Sequence, residues 1–339
     1  MIMQYSSGRK EMVKLGWSFA VFLSSLFLIF LSASVSYGLE KEAQKKEVAK
    51  DAIRVQKIGQ VLQKEEPKTT GVIVLAHGMH AGHGSLKKSS WEDSVLEAVK
   101  PLKGLYPLEV AFGMAEPDAI KEAVLKLEEK GVSEIVVVPL FISSHSPIIG
   151  NSRYILGLQE ELPRTTSIKS LPKVESKARF YMTAAMDDSI LIAEILLERA
   201  MELSNNPVKE TVILVGHGPN DDEENRLWLE NMERLAYYVR EKGTFREAMV
   251  ATLRIDAPKE VKQEAINKLR TLVETYGKEG SVIIVPHLLA PGVEEEIVEA
   301  LRGLAYVYNG KTLLPHVNIT KWIEMQVEQG LMKLQERQG

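Results

Sequence analysis

The chain has 339 residues, 45% hydrophobic and 26% charged, an ordinary globular usage that excludes wholesale disorder and a polytopic membrane protein and leaves room for about two domains. It contains no cysteine, which excludes disulfides, thiolate nucleophiles, iron–sulfur clusters and cysteine zinc sites; any transition-metal chemistry must rest on histidine and carboxylate. Formal charge is −4; Arg9, Lys10, Glu11 and Lys14, together +2, are the only charges before residue 39, and the remaining body at −6 disfavours a general nucleic-acid binder, whose affinity rests on basic phosphate contacts.

Residues 1–38 read as a targeting segment. Arg9, Lys10 and Lys14 precede an apolar run from Leu15 to Leu31, and small residues follow through Ser36 and Gly38, the order of a secretory signal. The run approaches the ~17–20 residues that span a bilayer, so membrane attachment through residues 15–31 is the competing reading. Both readings export the body to the periplasm or another extracytoplasmic space, and the positive charges ahead of the run suit that orientation. In residues 39–67, Val48, Ala52, Val55, Ile58 and Leu62 recur at helical spacing among charges of both signs, which describes a helical stalk or a solvated linker ended by Pro67.

From residue 68 onward, short β-branched runs alternate with amphipathic stretches. Gly71 to Ala76 reads as a strand closed by His77-Gly78, followed by a helix over 90–103. Leu108 to Phe112 is a second strand, followed by a helix from Pro117 to Lys130 with proline in its first turn and Gly131 beyond its end. Glu134 to Pro139 is a third strand, with His145 in the loop beyond it; residues 178–185 and 187–204 supply a fourth strand and its helix. Continuous apolar strands between helices indicate a parallel sheet covered on both faces.

The pattern then recurs. Thr211 to Gly218 matches the first strand and its His-Gly at an offset of 140, and Val250, Ala251 and Asp256 match Val110, Ala111 and Glu116. Ser281 to Pro286 echoes the strand ending at Pro139, and Thr312 to Pro315 with Ile319 to Leu334 echo the fourth strand and last helix. The fold class expected is α/β: two similar flavodoxin-like, doubly wound parallel-sheet lobes, 68–206 and 207–339, related by internal duplication. One chain then supplies both walls of a cleft, and a two-lobed monomer suffices.

Two familiar chemistries fail on the residues. The loop Gly78-Met-His-Ala-Gly82-His-Gly84-Ser85 lacks the Gly-Lys-Ser/Thr ending of a phosphate loop, and Lys87 occupies the third glycine of a dinucleotide fingerprint. No Gly-x-Ser-x-Gly pentapeptide exists to make a hydrolase nucleophile elbow. What remains is histidine at strand ends. In a sheet of order 2-1-3-4 the first and third strands are neighbours, so His77 and His145 converge beyond their carboxyl ends, with Glu116 next along that edge. Two imidazoles and a carboxylate suit a borderline divalent metal with open coordination positions. Glu116 reads equally as a proton acceptor or metal ligand and as an acid favoured by the dipole of the helix at Pro117.

His77-Gly78, Ala111-Phe112-Gly113-Met114-Ala115-Glu116-Pro117 and Val138-Pro139-Leu140-Phe141-Ile142-Ser143-Ser144-His145 together resemble the CbiX family of sirohydrochlorin cobaltochelatases. The resemblance extends over nearly all of 71–335. It implies a class II chelatase of two α/β lobes that inserts Co²⁺, with Fe²⁺ and Ni²⁺ as alternatives, into a sirohydrochlorin-type tetrapyrrole without ATP or another cofactor. It also implies that His77 and His145 hold the metal. In the second half the family's histidine position is read as Glu294, after His287, and this resembles protoporphyrin ferrochelatases, where histidine faces glutamate across the cleft. His217 and Glu294 are thus candidates for a second metal or proton-relay site, with Asp256 keeping an acid on that edge.

Of the other candidates, His287 points away from the crevice by strand alternation, His316 ends the last strand, and His80 and His83 extend a His-x-x-His-x-x-His run from His77. Glu295 and Glu296 read as a helix first turn. Trp91, Phe141, Tyr154 and Trp228 are core residues or stacking surfaces for a macrocycle. Lys87, Lys88 and Arg153 are solvated or meet substrate carboxylates. The contrasting reading of the whole is an exported, non-catalytic carrier of haem, another tetrapyrrole or metal on the same fold.

Overall fold

The computed structural model describes residues 70–78, 85–289 and 292–336, all within one compact unit, Glu66–Gly339. The targeting segment, the stalk, His80, His83 and the side chains of Lys87 and Lys88 lie outside the described residues. Among the described residues no helix is long and apolar enough to cross a membrane.

The chain alternates strand and helix throughout: β1 Thr70–Ala76, α1 Ser85–Lys103, β2 Leu108–Phe112, α2 Pro117–Glu129, β3 Glu134–Leu140, α3 Pro147–Ile155, β4 Arg179–Met182 and α4 Ile190–Leu203. A second series follows: β5 Glu210–Gly216, α5 Asp222–Gly243, β6 Glu247–Thr252, α6 Lys259–Gly277, β7 Ser281–His287, α7 Glu294–Ala300 and α8 Val317–Glu336. The strands form two parallel sheets, β2-β1-β3-β4 and β6-β5-β7. β1 and β5 are the central strands, buried on both faces, which is why they read as unbroken apolar runs rather than alternating ones.

The registers of the two sheets correspond. Val72 pairs with Leu108 as Val212 pairs with Ala248, and Val74 pairs with Val138 as Leu214 pairs with Val285. The fourth position differs from the sequence expectation. Thr312 to Pro315 is not a strand; an isolated parallel bridge between Ile283 and Val307 stands where Val136 pairs with Tyr181 in the first sheet. Leu313 and Leu314 instead bury in the core, and the carbonyls of Thr312 and Pro315 accept from the Arg199 guanidinium at 3.3 and 3.4 Å. Apolar character alone did not distinguish that buried loop from a short strand.

One core joins the sheets. The inward faces of both, with Val72, Val74, Val136, Val138, Leu214 and Val285, belong to a single apolar cluster with Trp91 of α1, Leu196 of α4, Leu235 of α5 and Trp322 of α8. The outer faces carry separate cores, under α2 and α3 on the first sheet and under α6 and α7 on the second. The sequence halves hold the two sheets, but their last helices are exchanged: α8 packs on β3 and β4, and α4 packs on β7. The exchange is tied by polar contacts from α4 to the start of α8. His316 meets Glu198 at 3.0 Å, and Asn318 donates to Glu194 at 2.8 Å. His316 therefore belongs to this tie.

Gly330 marks how closely α8 lies on β3, since a Cβ there would stand 2.3 Å from Cγ1 of Val136. Gly330→Ala is expected to destabilise the fold by roughly 1–3 kcal/mol through overpacking, whereas Gly277→Ala, with nothing within 4 Å of the added carbon, is expected to be tolerated. Thermal unfolding of the two variants checks this; equal melting temperatures would contradict the tight α8–β3 contact.

Candidate functional site

The carboxyl edges of β1, β2 and β3 collect the first-lobe candidates. His77 follows β1 directly, and Gly78 after it passes beneath the exit of β2: a Cβ on Gly78 would lie 2.8 Å from Cα of Gly113. Gly113 itself holds a φ of +152° and donates its N–H to the carbonyl of Ala76 at 2.9 Å. The His-Gly pair is thus a backbone requirement as well as a chemical one: only glycine lets the chain leave the sheet so close to its neighbour. The indole N–H of the buried Trp91 donates to the His77 carbonyl at 2.8 Å.

Glu116 stands at the N-cap of α2 with extended backbone angles but makes no capping hydrogen bond with its side chain. Its carboxylate is therefore not spent on the helix end. It lines a small open pocket that reaches over Leu75 to Phe141 of the loop after β3. Phe141 is core as well as pocket wall.

The loop after β3 is firmly held. The buried Ser143 accepts the His145 N–H at 3.1 Å, and Ser146 caps α3 by accepting from Ile148 at 3.3 Å. Ser144 donates both its N–H and its hydroxyl to the two carboxylate oxygens of Asp187, each at 2.7 Å. Asp187 has a φ of +43°, a left-handed turn just beyond β4. From the second sheet's side, Trp228 of α5 donates its indole N–H to the His145 carbonyl at 2.6 Å, and Asn231 donates to Asp187 at 3.3 Å. The sequence reading took Trp228 as core or stacking surface and did not find this role.

The second lobe repeats the backbone device. A Cβ on Gly218, whose φ is +76°, would meet Cβ of Thr252 at 2.6 Å, and Leu253 donates to the carbonyl of Gly216 at 3.0 Å as Gly113 does to Ala76. Arg254, buried and left-handed at φ +50°, donates from Nε to the Pro219 carbonyl at 3.0 Å and from Nη1 to Asp222 at 2.7 Å, which fixes the loop after His217.

Histidine 217 is joined to Asp256 rather than to Glu294. Its Nε2 lies 3.4 Å from Oδ2 of Asp256, and Nδ1–H donates to the Gly218 carbonyl at 2.9 Å. Burial opposes charging of the imidazole, but the Asp256 carboxylate and the Gly218 carbonyl outweigh it and raise its pKa above the ordinary 6.5. Asp256 is lowered in turn, by the His217 hydrogen bond first, then by the nearby charges of His217, His77 and Lys262 against a burial penalty. Asp256 therefore lies within electrostatic reach of His77 across the lobes. The His217–Asp256 pair can hold a proton, or a divalent cation through Nε2 and Oδ2.

Glu294 opens α7 and accepts from the Gly292 N–H; its charge, after burial, helps to push the Tyr308 hydroxyl upward. Counting from the matched prolines Pro139 and Pro286, and from the starts of α3 and α7, the position of His145 falls on Gly292, two residues before Glu294. His287 is fully buried at the end of β7 with both ring nitrogens unpartnered, and burial pushes its pKa down to about 4. It is a neutral core group.

Glu224 was not found from the sequence. It accepts from Thr165 at 2.5 Å. Burial raises its pKa, with Asp221 adding and the Thr165 hydrogen bond and His145 opposing. A second-lobe carboxylate thus feels the charge of each first-lobe histidine, Asp256 that of His77 and Glu224 that of His145. Among the described residues no three histidine or carboxylate side chains lie close enough to hold a metal ion together, so His77, His145 and Glu116 are not gathered into one ligand set.

Residues 71–203, the first lobe, match the CbiX family model. Comparison with curated protein sequences gives no match. SirB from Bacillus subtilis with Fe³⁺ superposes with a TM-score of 0.52 at 17% identity, over 77% of this chain and 95% of that one. The sirohydrochlorin chelatase SirB from Bacillus subtilis subspecies spizizenii in complex with cobalt gives 0.51 at 12% identity over the same shares. The fold is chelatase-like.

The raised pKa of His217 makes the fold pH-sensitive in a defined window. Its contribution to stability is complete below the ordinary pKa of 6.5 and is lost as pH rises through the raised value. Asp256→Asn is expected to lower the His217 pKa, read by NMR titration, and to remove that part of the stability loss above pH 6.5. An unchanged titration would show that the pairing does not form.

Proposed function

We propose that the chain inserts a divalent metal ion into a sirohydrochlorin-type tetrapyrrole, with Co²⁺ as the preferred ion and Fe²⁺ and Ni²⁺ as alternatives. The observation that carries this reading is that His77 and His145 follow the carboxyl ends of the adjacent parallel strands β1 and β3. The match of residues 71–203 to CbiX and the fold shared with SirB support it.

Metal and tetrapyrrole are both substrates. Insertion forms metal–nitrogen bonds as two pyrrolic protons leave, so the site must hold the ion loosely, deliver it and accept protons. Neutral imidazoles bind borderline divalent ions while leaving exchange positions open. His77 and His145 fill that role, and Glu116, whose carboxylate makes no capping hydrogen bond, is the candidate to take a proton or to share the ion. Formation of the metal–nitrogen bonds supplies the driving force, with the two protons passing to carboxylates and solvent, so the reading needs neither ATP nor a resident cofactor. Arg153, on α3 just beyond the His145 loop, is a candidate contact for the carboxylates of such a macrocycle.

In this reading the lobes arose by internal duplication and a two-lobed monomer forms the cleft, with the shared core between the sheets as support. Residues 1–38 export the protein or anchor it through 15–31, outside the cytoplasm. That segment favours the contrasting reading, an exported tetrapyrrole or metal carrier, which would bind without accelerating insertion. Retention of His77, His145 and Glu116 together favours the chelatase.

His145→Ala is expected to reduce anaerobic Co²⁺ insertion to the rate seen without protein while leaving the circular dichroism spectrum and melting temperature close to wild type. Insertion at the wild-type rate in that variant would remove His145 from the site.

A further inference from the structure

The histidines that the proposed function assigns to the metal share a feature that no motif announces: each has its backbone carbonyl held by a tryptophan indole. Trp91 Nε1 donates to His77 at 2.8 Å and Trp228 Nε1 to His145 at 2.6 Å. The first tryptophan lies on α1 of the same half, fully buried in the shared core. The second lies on α5, an element of the other half. The geometry points to Trp228, with Asn231 one turn further along α5, as a positioning residue through which the second lobe sets the place of the His145 imidazole.

Several contacts converge on this. The His145 loop has a first-lobe support, Asp187, which accepts from Ser144 twice at 2.7 Å. Asn231 donates to that same carboxylate at 3.3 Å, so α5 grips the loop both directly at His145 and through its support. Residues 225, 228 and 231 recur at helical spacing along one face of α5. Asn225, at the start of that face, accepts from Thr252 at 2.8 Å, at the end of β6. Leu253 and Arg254 beyond it bond back to the carbonyls of Gly216 and His217 at 3.0 and 2.6 Å. One helix face therefore connects the His217 loop to the His145 loop.

The physical consequence concerns preorganisation. A carbonyl fixed by an indole N–H removes freedom from the peptide that carries the ligand, so the imidazole meets the ion without first being ordered. Losing the N–H while keeping the ring costs one hydrogen bond, and the penalty falls on the metal rather than on the macrocycle. A role in folding alone would act differently: fewer active molecules, a lower kcat, and unchanged KM for both substrates.

This rests on the proposed chelatase reading, and the test separates the two. Steady-state anaerobic insertion by the full chain is measured with Co²⁺ varied at saturating sirohydrochlorin, then the reverse, for wild type, Trp228→Phe and Asn231→Ala. We expect Trp228→Phe to raise the KM for Co²⁺ roughly three- to tenfold, with the KM for sirohydrochlorin within about twofold of wild type. Asn231→Ala, a change on a half-buried helix surface, is expected to move the same parameter in the same direction by a smaller factor. Active wild type with unchanged Co²⁺ KM in both variants, or with only kcat reduced, overturns the positioning role and leaves the chelatase reading standing. A wild type that inserts no metal overturns that reading, and the positioning role falls with it.

Discussion

Burial of the inward faces of both sheets in one apolar core, closed by the exchanged helices α4 and α8, holds the two carboxyl edges against each other. Each parallel sheet must cover both of its faces, and here neither half does so with its own helices alone. The cost of separating the lobes is therefore the exposure of a continuous core rather than the breaking of a few surface contacts. Polar ties such as Arg199 to the Thr312 and Pro315 carbonyls fix the register of the exchange. Relative placement of the two strand edges follows from that core, and the cross-lobe contacts at His145 depend on it.

The lobes repeat a scaffold but not a chemistry. In both, a His-Gly leaves the central strand where glycine is required by the close second-strand exit, and in both an acid follows that second strand. The first lobe adds His145 on a loop bound by serines and Asp187. At the matching place the second has Gly292, and its His217 is committed to Asp256. Under the proposed function the asymmetry gives the halves different tasks, imidazole ligands on the first lobe and carboxylates with a positioning helix on the second.

Much of this was legible in the sequence. Strand runs such as Gly71–Ala76 and Ser281–Pro286, the 2-1-3-4 order and the adjacency of the strands that precede His77 and His145 all follow from period, flanking glycines and topology rules. The exchange of α4 and α8 was not legible, because an amphipathic stripe on Ile192, Leu196, Ile319 and Ile323 says that a helix is buried but not on which sheet. Thr312 to Pro315 misled for the same reason: burial by loop packing leaves the apolar signature of a strand. Pairing of His217 with Asp256 and the indole bond of Trp91 to His77 join separate loops and helices within one lobe, and that of Trp228 to His145 crosses from one lobe to the other; no local pattern records any of the three.

The account turns on whether the paired lobes accelerate metallation or only hold its reactants. Anaerobic absorbance of the full-length protein in detergent, mixed with sirohydrochlorin and Co²⁺ beside a protein-free control, answers this directly. The account predicts repeated turnover, with the macrocycle spectrum shifting to the metallated form faster than in the control and beyond one equivalent per chain. A shift limited to one equivalent, or tight macrocycle binding at the control rate of insertion, would contradict it and identify a carrier on a chelatase fold.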